Sequence, residues 1–466
     1  MVSEAMQETR GGRKGPLERF LSLFADVRPG EGTTALLLTL NVFLLLVSYY
    51  LLKVVREPLI LLGGAFGLKG ATLKAAAAAA QALLLLVVVP AYGLLANRVN
   101  RVRLITTVSA IFIGCLIAFY ASAHLELPVG LVFFIWIGIF NLMIVAQFWS
   151  FANDVYTEEE GKRLFAIVAF GGTSGAIVGS WLGGELFKVI APYEIMLVSA
   201  ALLAACVALT NVINRRTDQA DRSGKPKREQ SLSKRGGFLL VFQKRYLLLI
   251  AFMILVYNTV NTNGEFILGD IVSGEAEKRA AAEVSAQLAD PERAKAIKDA
   301  AGKLIGGFYG SFFTYVNVLT AVIQLFVVSR VFKWFGVRAA LFVLPVVALG
   351  SYGAILLAPA LGVVRIGKIL ENGTDYSLQN TARQALFLPT NRDEKYKAKA
   401  AIDTFFVRFG DVASFGVVYA ITSVLQAGAT GVATVNVVLV LIWLILAVGI
   451  AVEHRKLSPN AKTEPT

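Results

Sequence analysis

The chain has 466 residues, of which 56% are hydrophobic and only 17% charged, with a mean hydropathy of +0.64. Soluble domains carry roughly 45–50% apolar and about 25% charged residues, so this composition excludes an ordinary water-soluble globular fold and requires lipid. The formal charge is +13, and the only two cysteines, Cys115 and Cys206, sit inside apolar runs. Neither a disulfide framework nor a thiolate metal site is expected.

The polar N-terminal segment 1–33 includes Arg10, Arg13 and Lys14. It lacks the apolar core and small-residue cleavage site of a signal peptide, so it is expected to remain in the mature protein. Residues 16–27 read either as a short interfacial helix, with Leu17, Phe20, Leu21 and Phe24 on one side, or as a disordered tail.

Apolar runs near or above the ~20 residues that cross a bilayer then follow in two sets. Spans at 34–57, 70–96, 104–123, 129–152, 164–190 and 194–214 make an N-terminal half, 34–214. Spans at 246–270, 304–332, 338–358, 362–382, 400–426 and 432–453 make a C-terminal half, 246–453. The linker 215–245 is basic, with Arg215, Arg216, Arg222, Lys225, Lys227, Arg228, Lys234 and Arg235. Loops 97–103 and 332–338 are also basic, whereas loops 124–128, 191–193 and 427–430 hold no Lys or Arg. The positive-inside rule therefore puts both termini, the linker and the tail 454–466 in the cytoplasm. The basic residues flank spans instead of interleaving with exposed aromatics, so nucleic acid is not an expected partner.

Segment 273–302, on the opposite side, mixes charges of both signs with alanine. Asp290 before Pro291 and Glu292 reads as an N-cap followed by proline at the first helical position, which predicts two short helices outside the membrane. Six plus six spans joined by a basic cytoplasmic loop is the layout of the major facilitator fold, whose repeated halves enclose a midplane site. The predicted class is an all-α polytopic membrane protein of that type.

Ionisable residues inside spans cost at least ~2.5–3.5 kcal/mol by insertion scales and usually face a cavity or a partner. Lys53 and Arg56 share a face at the end of the first span, before Glu57 and Pro58; they read either as a cationic cavity wall or as interfacial snorkelling. Asn153 and Glu160, with Lys162 and Arg163, lie between the fourth and fifth spans, where a solvated loop is the alternative. Helix five follows with Gly171, Gly172, Gly175, Gly179, Gly183 and Gly184, which suit close helix packing better than chemistry. The seventh span holds Tyr257, Asn258, Asn261, Asn263 and Glu265, and a glutamate there is hard to explain by packing. A fourth cluster runs from Glu371, Asn372, Asp375, Tyr376, Asn380, Arg383 and Gln384 to Lys395, Lys397, Lys399, Asp403, Arg408 and Asp411. Its lysines and arginines suit phosphate oxygens.

At these places the sequence resembles the ATP/ADP translocases of plastids and intracellular bacteria, a nucleotide transporter family of the facilitator superfamily. That family's Arg-Asp-Thr-Lys-Asp run falls on Lys53, Val54, Val55, Arg56 and Glu57. Its Trp-Gly-Phe-Ala-Asn falls on Trp149 to Asn153, and its Glu-Ala-Lys-Lys/Arg-Phe on Glu160 to Leu164. The family tyrosine and the glutamate eight residues on match Tyr257 and Glu265, and Lys-x-Lys-x-Lys-Ala-Ala-Ile-Asp matches Lys395 to Asp403. After Tyr376, Ser377 and Leu378 the chain departs from the family's Asp-Pro-Thr-Lys-Glu with Asn380, Thr381, Ala382, Arg383 and Gln384.

The resemblance implies a carrier that exchanges ATP and ADP, or takes up nucleotides, by alternating access through a cationic central cavity. The substrate-binding candidates are Lys53, Arg56, Asn153, Glu160, Tyr257, Asn261, Glu265, Lys399 and Arg408. No cofactor is implied, and the partners are a nucleotide or other small anion and the lipid of a bacterial inner membrane, with a monomer expected. Two alternatives stay open: a carrier of another organic or phosphorylated anion, coupled to protons through Glu265, and a scaffold or sensor that moves nothing. The chain has no zinc-protease helix motif and no glycine-rich phosphate loop, so an enzyme is not expected.

Overall fold

The computed structural model describes residues 14–22, 25–96, 101–125, 127–220, 237–284, 289–391 and 394–457. They form a helical protein whose only strands, among the described residues, are the hairpin pair Gly64–Ala65 and Leu68–Lys69. In chain order the α-helices are α1 (Pro16–Leu21), α2 (Gly32–Leu61), α3 (Gly70–Ala96), α4 (Arg101–His124), α5 (Gly130–Val155), α6 (Glu158–Leu186), α7 (Pro192–Ala220) and α8 (Gly237–Gln243). They continue with α9 (Arg245–Glu283), α10 (Asp290–Val322), α11 (Val328–Leu357), α12 (Leu361–Thr374), α13 (Asn380–Ala385), α14 (Lys399–Ala401), α15 (Val407–Tyr419) and α16 (Gly428–Leu457). Ten helical stretches among the described residues are long and apolar enough to cross a membrane. The chain is a multi-pass integral membrane protein.

The longest stretch, Asp290–Leu357, joins α10 to α11 through a π turn at Ile323–Val327. It breaks at Gly336, whose φ of 73° and ψ of 173° only glycine adopts readily. The break falls between the predicted spans 304–332 and 338–358. Further π turns, at Asp375–Gln379 between α12 and α13 and at Glu394–Ala398, Ile402–Phe406 and Ala420–Val424 around α14 and α15, interrupt the last third of the chain.

Two expectations change. The segment 273–302 does not fold as two separate short helices: α9 runs unbroken to Glu283, and α10 starts at Asp290 and continues into its apolar stretch. Alanine, glutamate, lysine and arginine all favour helix, and the Arg279–Glu275 pair at 2.7 Å supports the same turn, so nothing stops α9 earlier. The cap is Ala289, with Asp290 already helical. Near the N-terminus, α1 covers only Pro16–Leu21 of the predicted 16–27; it buries Leu21 and exposes Phe20, while Phe24 lies outside the described residues. Most of the basic linker, 221–236, and residues 97–100 also lie outside them.

The chain packs as two compact units. The first contains residues 1–55, 92–127 and 137–227. Within it, α6 lays Gly171, Gly175 and Gly179 along α2: a Cβ at Gly171 would stand 2.5 Å from the Thr39 carbonyl oxygen, one at Gly179 2.7 Å from Val47 Cα, and one at Gly175 would meet the Phe43 carbonyl. These glycines serve packing, as expected. Asn41 donates to Thr210 Oγ1 at 2.9 Å and Ser48 to the Ser199 carbonyl at 3.1 Å, tying α2 to α7.

The second unit contains residues 56–91, 128–136 and 228–466. Its centre is α9, which packs on α10, α12, α15 and α16. Buried Asn263 donates to Asn436 at 2.8 Å and accepts from Ser414 at 2.7 Å, and Asn436 donates to the Val260 carbonyl at 3.0 Å. This node joins α9, α15 and α16.

Replacing Gly175 by valine forces α2 and α6 apart. The expected loss is about 1–3 kcal/mol, read as a lowered thermal midpoint of the detergent-purified protein, with Gly350→Val, at a site where a Cβ meets no neighbour, close to the parent.

Candidate functional site

Within the second unit the helices gather two polar groups of opposite character. The first is a buried ion cluster. Arg56, near the end of α2, donates through Nε to Glu57 Oε1 at 3.0 Å and lies 4.6 Å from the Phe134 ring centre. Lys74 of α3 pairs with Glu57 at 2.7 Å and with Glu265 of α9 at 3.6 Å. Lys368 of α12 pairs with Glu265 at 3.6 Å and with Glu371 at 3.2 Å, and donates to Asn261 Oδ1 at 3.1 Å. Tyr352 donates to Glu371 at 3.0 Å and Asn372 to Glu265 at 3.2 Å.

Glu57 is 0% exposed, Lys368 1% and Glu371 4%. Three cations (Arg56, Lys74, Lys368) face three carboxylates (Glu57, Glu265, Glu371), so the group is formally neutral, the condition under which buried charge is tolerable. Gly264 makes the approach possible, because a Cβ there would stand 2.9 Å from Lys368 Nζ.

The second group is a cavity of about 320 Å3 lined by Tyr257, Asp375, Tyr376, Gln379, Asn380 and Arg383. Tyr257, buried on α9, donates to Asp375 Oδ1 at 2.6 Å. Asp375, Tyr376 and Gln379 all come from the π turn Asp375–Gln379; such turns often occur at functional sites. Arg383 reaches Asp403 at 4.0 Å, and Lys399 reaches the same carboxylate at 3.3 Å. Two cations thus share one anion beside the cavity. Among the described residues, Gln379 Oε1, Arg383 Nε and Asp403 Oδ1 are buried atoms without a hydrogen-bond partner.

Residues 316–454, which include the cavity-lining residues other than Tyr257 and the Lys399–Asp403 pair, match the family model described as TLC ATP/ADP transporter. ADP,ATP carrier protein 1 of Chlamydia muridarum is 23% identical, with 58% of this chain covering 54% of that carrier, so the chain spans about half the length of that relative. ADP,ATP carrier protein 2 of Chlamydia pneumoniae is 21% identical over 94% of this chain and 90% of its own length. In sequence the chain is similar to these ADP,ATP carriers. In fold it is similar to the crystal structure of the nucleoside transporter NupG, with a TM-score of 0.62 and 13% identity over 90% of this chain and 98% of that one. A POT family transporter bound to 5-aminolevulinic acid gives a TM-score of 0.59 at 13% identity over 88% of this chain and 96% of that one. The fold is of the major facilitator type.

The candidate site residues separate in the structure. Tyr257 lines the cavity and Lys399 stands beside it, whereas Arg56, Asn261 and Glu265 belong to the neutral cluster. Arg408 pairs with Asp411 at 3.6 Å, and Asp411 also accepts from Asn258 at 2.7 Å and Thr262 at 3.0 Å.

Lys53, Asn153 and Glu160 lie in the first unit. Lys53 Nζ sits 5.1 Å from the Tyr50 ring centre, and Asn153 is exposed at the end of α5. The Glu160 carboxylate closes a capping box at the start of α6, accepting from the Thr157 backbone N–H and hydroxyl, both at 2.9 Å. Local helix capping accounts for that residue as it stands.

Sequence reading passed over Lys74 and Lys368. Each is a lysine inside a predicted span, the kind of intramembrane charge that also marks Lys53 and Arg56.

Lys368→Ala leaves Glu371 and Glu265 without their shared cation. The expected cost is about 3–5 kcal/mol in thermal unfolding, and Lys368→Met combined with Glu371→Gln recovers a large part of it, because a neutral pair removes the uncompensated charge.

Proposed function

We propose that the chain carries nucleotides across the membrane by exchange, exposing the 320 Å3 cavity alternately to the two sides. The observation that carries the reading is the charge balance at Arg383, Lys399 and Asp403: one carboxylate against two cations leaves a net positive end, suited to phosphate oxygens. Arg383 replaces the lysine of the family run Asp-Pro-Thr-Lys-Glu, so the cation is kept while a bidentate fork replaces a point charge. Tyr257 and Tyr376 offer aromatic surface to a base. The names of the matched carriers support ATP and ADP as the cargo. In this reading Glu265 and Arg56 are bound within the neutral cluster in the state described, and both termini face the cytoplasm.

A carrier of another phosphorylated or organic anion is the second reading, favoured by the departure from Asp-Pro-Thr-Lys-Glu at Asn380 to Gln384.

In proteoliposomes, labelled ATP uptake is expected to require ADP or ATP inside. Arg383→Gln and Lys399→Ala are each expected to lower the initial rate by about tenfold or more, the scale of a lost hydrogen bond to a charged group. Uptake that ignores the internal nucleotide and collapses with an uncoupler transfers the assignment to a proton-coupled anion carrier. Unchanged uptake in both variants removes the cationic pole from the mechanism.

A further inference from the structure

Resting on the nucleotide reading, the cavity shows a second pole. Asp375, Gln379 and Arg383 recur every four residues along one side of the π turn and α13, and all three line the cavity. Eight residues of helix cover about 12 Å. The row therefore runs from a carboxylate, through an amide, to a guanidinium over the scale that separates the base of a nucleotide from its phosphates.

The carboxylate end differs from the cationic end in what it lacks. Asp375 is 8% exposed, and its Oδ1 already accepts from the Tyr257 hydroxyl. Gln379 is 2% exposed, and its Oε1 has no partner among the described residues. A buried acceptor without a donor is costly, of the order of 1–3 kcal/mol, and a ligand that brings the donor removes the cost. A carboxylate and an unpartnered amide oxygen together repel phosphate and complement N–H and O–H groups.

We infer that Asp375 and Gln379 form an acceptor pole that sets specificity: the cavity takes a phosphate-bearing ligand only when its other end carries hydrogen-bond donors. In a nucleotide, those donors are the exocyclic amine of the base or the diol of the ribose. Sites built to pair buried polar groups discriminate strongly against analogues that leave those groups unpaired.

The test measures binding of ADP and of inorganic pyrophosphate to full-length detergent-purified protein, using the parent, Asp375→Asn, Gln379→Met and Arg383→Gln. ADP is expected to bind the parent more tightly than pyrophosphate does. Asp375→Asn and Gln379→Met are expected to weaken ADP by about tenfold or more while leaving pyrophosphate unchanged, and Arg383→Gln to weaken both. With the parent, either the 2′,3′-dideoxyribose analogue of ADP or the analogue lacking the exocyclic amine should lose the same factor, and the one that does identifies the donor.

Unaltered ADP binding in both acceptor variants, or analogues that both bind as ADP does, overturns the acceptor pole. Loss of pyrophosphate binding along with ADP in those variants assigns Asp375 and Gln379 to structure and overturns it too. A parent protein that binds neither ligand overturns the nucleotide reading, and this inference with it.

Discussion

A charge held among apolar helices must find its opposite within hydrogen-bond reach, and the second unit is arranged around that requirement. Lys368 is almost entirely buried, and it is bearable there because Glu371, Glu265 and the Asn261 amide oxygen surround its ammonium group. Glu265 and Glu57 in turn share Lys74, and Glu57 also holds Arg56. The chain of pairs binds the end of α2 and the start of α3 to α9 and α12, which follow much later in the sequence. Gly264 opens the space on α9 that Lys368 enters. Removing Lys74 or Lys368 disturbs two carboxylates at once, so the cluster acts as a unit and not as a sum of pairs.

The cavity one turn further along the chain follows the opposite rule. Glu371 and Asp375 are separated by a single helical turn, yet Glu371 lies in a charge-balanced cluster while Asp375 opens onto a cavity. The π turn between α12 and α13 marks the change. A π turn widens the helix by a residue and redirects the side chains that follow it, and this brings Asp375, Tyr376 and Gln379 to one wall. A charge-balanced cluster thus lies beside a cavity whose wall carries unpartnered polar atoms.

The motif positions shared with the ATP/ADP translocases divide along the same line. Lys399 keeps company with Arg383 and Asp403 near the cavity, while Arg56 and Glu265 are committed to internal pairs. Glu160 caps its own helix through Thr157. A motif records which residue types recur together and says nothing about which of them face a ligand in a given state. Arg383 makes the same point from the other side, since it stands where the chain departs from the family run, yet it lines the cavity directly.

Membrane residence, the all-helical class and the positions of most of the long apolar helices were legible in the sequence, because they depend on local sums: the apolar content of a run and the helix-forming tendency of its residues; the predicted span 362–382 is instead the shorter α12, a π turn and α13. The glycine series of α6 was legible as packing for the same reason, and so was the break near Gly336 between two apolar runs. Charged residues inside spans were recognisable one by one, although Lys74 and Lys368 were passed over. What the sequence left open was their pairing. Nothing local says that Lys74 meets Glu57, that Lys368 meets Glu265 across more than a hundred residues, or that Asn263 faces Asn436 while Asn261 faces Lys368. Those outcomes depend on which helix faces packed together and in what register, and a one-residue turn about a helix axis shifts a side chain by about 100°. Only the tertiary structure decided which charges cancel and which polar atoms remain to meet a ligand.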